Sequence, residues 1–329
     1  MNEIRARIIG QEKGLYRISN GADERLAEVS GRFRYQVQTV SDYPAVGDYV
    51  TASWFEDGSN SIIESVFPRK SVFLRKAAGR GQQEQVVAAN IDTVFVCMSV
   101  NRDFSLRRLE RYIATAWESG ATPVVVLTKS DLCEDAAAKI TEAKTAAPGV
   151  EVVTVSSLES DVDAVRPYLE AGKTIAFLGS SGVGKSTLIN KLLGNDLLRT
   201  NEIREDDDRG RHTTTHRELL TLPCGAFVID TPGMRELGMW DSDSGIDTAF
   251  SDISALATRC RFSDCTHRNE PGCAVREAIQ SGALPEERWL SYQKLKTENA
   301  YTEDKEGYLD EKRKKFKEIA KRNKSKGIR

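Results

Sequence analysis

A chain of 329 residues exceeds one ordinary domain, so two or three are expected. With 40% hydrophobic and 29% charged residues it reads as globular, and no apolar run approaches the roughly 20 residues that span a bilayer. The opening MNEIRARIIGQEKG lacks the apolar stretch of a secretory signal, so a cytoplasmic protein is expected, with six cysteines serving as thiols or metal ligands rather than disulfides. The net charge of −2 is unevenly spread: residues 311–329 hold ten Lys or Arg against two Glu, a local +8 that leaves −10 for the rest. That tail is either a solvated helix end or an electrostatic contact for nucleic acid.

Residues 1–68 show short alternating apolar runs at Ala6 to Ile9, Leu15 to Ile18, Tyr35 to Val40, Tyr49 to Trp54 and Ile62 to Phe67. Turn residues such as Gly10, Gly14, Gly31, Pro44 to Asp48 and Asp57-Gly58 separate them, which predicts a small all-β barrel. The OB-fold is the RNA-binding form of such a barrel, and another small barrel is the alternative. Residues 69–85, rich in Gly, Arg and Gln, read as a linker.

Over 86–240 continuous apolar strands alternate with helices, the pattern of a parallel α/β sheet covered on both faces. Strands are expected at Thr93 to Val100, Val124 to Leu127, Val152 to Val155 and Thr174 to Leu178. A helix after Ser105 places Leu106, Leu109, Ile113 and Trp117 on one face and stops at Gly120, and another runs from Asp131 to Pro148-Gly149. Arg217 to Leu222 and Ala226 to Asp230 read as a strand pair turning at Pro223-Cys224-Gly225. Residues 241–329 lose the strand pattern and read as a mostly helical domain ending in the basic tail.

Gly179-Ser180-Ser181-Gly182-Val183-Gly184-Lys185-Ser186-Thr187 follows an apolar strand and opens a helical run, the setting a phosphate-binding loop requires. Its glycines let backbone N–H groups close around phosphates, Lys185 reaches the terminal phosphates and the Ser186 hydroxyl suits magnesium. Thr128-Lys129-Ser130-Asp131 ends the strand Val124 to Leu127, where ligands of open sheets sit. In that pattern the last Asp accepts two hydrogen bonds from guanine, a donor pair adenine lacks, so Asp131 selects GTP. Thr128 stands where Asn is common and offers a shorter arm. Ser156-Ser157 follows the next strand, as a third base-side segment would.

Asp230-Thr231-Pro232-Gly233 ends another apolar strand, with Asp230 suited to magnesium through a water and the Gly233 N–H to the terminal phosphate. Met234 stands where many GTPases carry a water-orienting glutamine. His212 is the candidate for that task, the alternative being a solvated loop histidine, and one of Thr213, Thr214 or Thr215 is expected on magnesium. The segments run in the order TKSD, Ser156-Ser157, phosphate loop, His212 loop, Asp230, a circular permutation of the usual sequence.

Cys260-x4-Cys265-x-His267-x5-Cys273 packs a Cys3His set into 14 residues. Four protein ligands leave no open position, so a structural zinc is expected. Cys97, Cys133 and Cys224 are isolated.

The small barrel, the permuted motifs TKSD, GSSGVGKST, GRHTTTH and DTPGM, and the Cys-Cys-His-Cys cluster together resemble the RsgA family of ribosome small subunit-dependent GTPases, over essentially the whole chain. The resemblance implies a barrel and a zinc domain that contact the small subunit and its rRNA, and GTP hydrolysis stimulated there during late maturation. It maps the GTP contacts onto 128–131 and 179–187, zinc onto Cys260, Cys265, His267 and Cys273, and the catalytic histidine onto His212. A monomer that alternates between GTP and GDP, with no membrane partner, is the expectation. An RNA-binding scaffold with GTP as a structural ligand is the alternative.

Overall fold

The computed structural model describes residues 2–12, 14–55, 59–76, 84–101, 104–156, 162–194, 217–230 and 243–303. The chain divides into two compact units, Met1–Gly238 and Met239–Arg329.

In the first unit, strands β1 (Asn2–Glu12), β2 (Leu15–Ser19), β3 (Glu24–Val29), β4 (Tyr49–Trp54) and β5 (Ser61–Val66) close into a barrel in the order β1-β2-β3-β5-β4-β1. The β3–β5 pair is parallel and the others antiparallel, the arrangement of an OB-like barrel. Ile8, Ile18, Ala27, Val50, Ala52 and Ile63 are fully buried at its centre. Tyr35 to Val40, expected as a strand, is instead the end of helix α1 (Gly31–Gln36) and the start of a 3-10 turn, Val40–Asp42. Capping decides this: the Ser30 hydroxyl accepts from Phe33 N–H, and the Asp42 carboxylate accepts from Thr39 N–H. Meanwhile β3 took the place of the missing strand, although its exposed Leu26 broke the apolar alternation.

Residues 69–85 do not form a linker throughout: β6 (Val72–Lys76) pairs antiparallel with β7 (Glu84–Ala89), and Phe73 and Val86 are buried. Strands β8 (Thr93–Ser99), β9 (Thr122–Thr128), β10 (Glu151–Val155), β11 (Thr174–Leu178) and β13 (Phe227–Asp230) form a parallel sheet, with β12 (Arg217–Thr221) antiparallel beside β13. On one face Phe95, Cys97, Val126 and Phe177 pack with Leu188 and Ile189 of helix α4 (Lys185–Leu193). On β8 the alternate residues Val94, Val96 and Met98 are equally buried, and α2 (Leu106–Glu118) packs on β8 and β9 while α3 (Ala136–Ala146) packs on α2 and β10. Leu109 and Ile113 lead the buried face of α2.

The barrel is continuous with this sheet, because β1 pairs with β12 at Gly10↔Glu218 and Gln11↔Arg217. The Arg17–Glu218 ion pair at 2.6 Å reinforces the seam. Arg7 is buried across it, donating to the Thr174 hydroxyl at 2.5 Å and lying over the rings of Tyr49 and Phe227. Asp48, with no exposed side chain, accepts from Arg69 and from Ala45 N–H, which fixes the turn before β4.

The second unit holds α5 (Asp243–Ala249), α6 (Ser251–Ala257), α7 (Ala274–Gln280) and α8 (Glu286–Glu303). Arg288 of α8 lies over Phe250 and pairs with Asp252 at 2.7 Å, its side chain 6% exposed. Among the described residues no helix is long and apolar enough to cross a membrane. The basic tail, 311–329, lies outside the described residues.

Candidate nucleotide and metal sites

All described nucleotide-motif segments leave the same, carboxyl-terminal edge of the parallel sheet. The register pairs Leu178 with Val96, Ser99 with Thr128 and Val155 with Thr128, so Gly179, Lys129 and Ser156 emerge side by side. Asp230, placed here by its backbone, ends β13 next to β11 at that edge. Parallel pairing therefore assembles segments far apart in the chain, whatever their order along it.

The phosphate-loop glycines adopt backbone angles that side chains avoid, with φ of +147° at Gly179, +77° at Gly182 and +99° at Gly184. At Gly179 a Cβ would collide with the Cys97 carbonyl, so the loop sits directly on β8. Burial pushes the Cys97 thiol up to about 12, keeping it protonated beneath the loop. The Lys185 ammonium donates to the carbonyls of Gly179 at 2.7 Å and Ser180 at 2.5 Å, which holds it over the mouth of the loop. Ser181, Ser186 and Thr187 lie on the same loop and the first turn of α4.

The base-side segment is tied to this loop. Thr128, 5% exposed, donates from its hydroxyl to the Val183 carbonyl at 2.6 Å. Lys129, held in the left-handed region at φ 60°, sends its ammonium to the Gly182 carbonyl at 2.8 Å. The short Thr128 arm thus spans the gap, because Val183 is close enough for it. Ser130 and Asp131 follow in a 3-10 turn, with Asp131 exposed at the edge. Arg108 of α2, which no motif marks, donates to the Ser180 hydroxyl at 2.7 Å. An arginine on an amphipathic helix carries no sequence signal for such a contact. Ser157, His212, Thr213, Thr214, Thr215 and Gly233 lie outside the described residues.

In the second unit the ligand atoms of Cys260, Cys265, His267 and Cys273 all lie within 4.8 Å of one another. Cys260 and Cys273 Sγ are 3.9 Å apart, and His267 Nδ1 is 3.5 Å from Cys260 Sγ and 3.4 Å from Cys273 Sγ. A tetrahedral zinc needs S···S edges of about 3.8 Å and N···S edges of about 3.5 Å, given its bond lengths. The donor set fits. The chain reverses inside the cluster because His267 is left-handed, φ 57°. Its ring packs edge-on against Trp289 at 5.6 Å. Glu270 ties the 266–270 loop, where the Thr266 hydroxyl and then backbone N–H groups hold its carboxylate down at about 2.

A parallel sheet with a phosphate loop, whose base-side strand precedes that loop in the chain, defines a circularly permuted GTPase, here joined to an OB-like barrel and followed by a Cys3His unit. The sequence profile described as RsgA GTPase matches residues 66–240, and the chain belongs to that family, whose members hydrolyse GTP. It is 51% identical over 91% of its length to small ribosomal subunit biogenesis GTPase RsgA 2 of Lactiplantibacillus plantarum, covering 84% of that protein. It is 42% identical over 97% of its length to RsgA 1 of Oceanobacillus iheyensis, covering 92% of that protein. The crystal structure of YjeQ from Thermotoga maritima superposes with a TM-score of 0.70 at 27% identity, over 89% of this chain and 97% of that one. The circularly permuted GTPase YloQ shares the fold with a TM-score of 0.67 at 24% identity, over 92% of this chain and 97% of that one.

Proposed function

We propose that this chain hydrolyses GTP to GDP and phosphate on the small ribosomal subunit during its late maturation, and that hydrolysis promotes its release. The observation that carries the nucleotide part is the pair of hydrogen bonds from Thr128 and Lys129 to Val183 and Gly182, which joins base-side and phosphate-side elements into one floor. The subunit part is supported by the relatives named small ribosomal subunit biogenesis GTPases.

In this reading Thr128 to Asp131, Ser156 and Ser157 receive the guanine, with Asp131 selecting it. Gly179 to Thr187 and Gly233 receive the phosphates. Ser186 and one of Thr213, Thr214 or Thr215 would hold magnesium, with Asp230 acting through a water, and the ion would there neutralise charge on the phosphates. His212 positions the attacking water in place of the glutamine absent at Met234. Cys260, Cys265, His267 and Cys273 hold one zinc ion, which crosslinks the 260–273 loop when bound. The barrel and the zinc unit dock on rRNA, and the protein acts as a cytoplasmic monomer. The proposed division is a barrel over 1–68, a GTPase domain over 86–240 and a zinc domain over 241–329.

Hydrolysis by the full chain, measured with and without small subunits and with ATP and large subunits as controls, tests the reading. Stimulation by small subunits alone is expected. His212→Ala should cut the stimulated rate by about 100-fold or more while sparing GTP binding. Intact GTP binding without stimulation would favour the scaffold alternative.

A further inference from the structure

The barrel carries a cavity that neither the nucleotide site nor the metal cluster uses. It has a volume of about 460 Å3 and lies between the barrel wall, the 40–44 turn and β7. Gln11, Tyr16, Arg34, Tyr43 and Gln85 line it, with Val86 among its apolar residues. Its walls are fixed from behind. The Arg69 guanidinium pairs with Asp48 and donates to the carbonyls of Ser41 and Tyr43, and the Tyr43 ring packs edge-on against Phe33 at 6.0 Å. Gln85 Oε1 accepts from both Nε and NH2 of Arg75, which orients its carboxamide.

Tyr16 is 4% exposed as a whole residue and lines the cavity. A phenol lining a polar cavity offers one O–H donor to a ligand there. Burial, then Tyr43 and Asp48, push its acidity up to about 12, so it remains a donor throughout the physiological range. The Arg34 guanidinium is half exposed, and its ion pair with Glu28 is long, at 3.9 Å. Beside it on α1 stand exposed Arg32 and Tyr35, the latter 92% exposed.

We propose that this cavity accepts one unpaired nucleotide of an RNA strand, its base against Tyr43, its polar edge met by the Tyr16 hydroxyl and the Gln11 and Gln85 carboxamides, and its phosphate facing Arg34. The chemistry favours a nucleotide over an apolar ligand, which would displace water from Gln11, Tyr16 and Arg34 without returning a hydrogen bond. It favours one over a neutral sugar, because aromatic walls beside a cation suit a planar, anionic group. Arg32 and Tyr35 extend the same combination of charge and stacking surface outward along α1. The inference rests on the reading that the barrel docks on RNA.

Fluorescence anisotropy of the full chain at fixed salt tests it, with labelled single-stranded rA, rC and rU hexamers, an abasic hexamer and an RNA duplex of the same length. Tyr43→Ala should weaken hexamer binding by about 5-fold or more. Tyr16→Phe, which keeps the ring and removes one hydrogen bond, should weaken it by about 2- to 10-fold. Duplex binding should change in neither, and the abasic hexamer should be insensitive to both. Should Tyr43→Ala not fold, Tyr16→Phe and Arg34→Gln carry the test. Equal hexamer affinity in wild type and Tyr16→Phe, or no hexamer binding by wild type, would overturn the cavity proposal. Subunit-stimulated hydrolysis in the same samples separates the two levels: if it persists, the cavity alone is wrong; if wild type lacks it, the underlying reading is wrong.

Discussion

Thr128→Val removes the hydroxyl that binds the Val183 carbonyl while keeping the volume of the side chain. Both residues are buried, Thr128 at 5% and Val183 at 1% exposure, so water cannot readily replace the lost donor. A buried carbonyl left unsatisfied costs about 1–3 kcal/mol, which lowers Tm by a few degrees in a unit of this size. The second consequence falls on the ligand. The 2.6 Å bond sets the distance between the base-side turn and the phosphate loop, and GTP must bridge both. Loosening that link should weaken GTP binding about 2- to 10-fold, by the net worth of one hydrogen bond. Thr128→Ser keeps the hydroxyl and should retain most of both properties. Fluorescent GTP-analogue titration and thermal unfolding of the three proteins make the comparison. If Thr128→Val matches wild type in both assays, or Thr128→Ser falls as far as Thr128→Val, the fastening is irrelevant and the argument from geometry is wrong.

Gly179→Ala adds a Cβ against the Cys97 carbonyl at a φ of +147°, so GTP binding should be lost and Tm should fall by several degrees; unchanged calorimetric titration would refute it. Chelation of the metal, or Cys260→Ser, should release about one zinc per chain and abolish cooperative unfolding of the Met239–Arg329 unit, read by a colorimetric zinc assay and circular dichroism. Asp252→Asn leaves Arg288 buried beside a neutral partner and should destabilise the same unit by about 1–3 kcal/mol, discounted because Asp252 is 35% exposed. Burial pushes the Asp252 carboxyl up, but its hydrogen bonds and charge contact with Arg288 prevail and leave it below the usual carboxylate range. Its contribution is therefore complete above the unfolded value of 3.8 and fades as pH falls through the lower folded value, which acid titration of wild type against Asp252→Asn would show.

Helix, strand and motif were legible in the chain wherever the signal is local. The buried run Thr174 to Leu178 followed by glycines and Lys185 could hardly be other than a strand and a phosphate loop, because only glycine tolerates the φ values there. The Cys3His spacing likewise announced its cluster, since the four ligands fall within one short loop. Reading failed where local hydrogen bonds outweighed the apolar pattern, as at Tyr35 to Val40, and where a strand showed an exposed Leu26. The linker reading failed over part of its length, for β6 takes up Val72–Lys76 and β7 begins at Glu84, leaving only Gly79 and Gly81 between them as the glycines of that stretch.

By itself, then, the amino-acid order fixed which chemical groups each segment offers: glycines and Lys185 in one loop, the Asp131 carboxylate after a strand, three thiols and His267 in another loop. Tertiary structure decided their mutual distances. Strand pairing sets Thr128 opposite Val155 and Ser99, and carries β12 onto β1, where Arg7 of the barrel reaches Thr174 of the sheet. Register and burial are collective outcomes of many weak contacts, so no local pattern encodes the Arg108–Ser180 hydrogen bond or the placing of Tyr16 in the cavity wall.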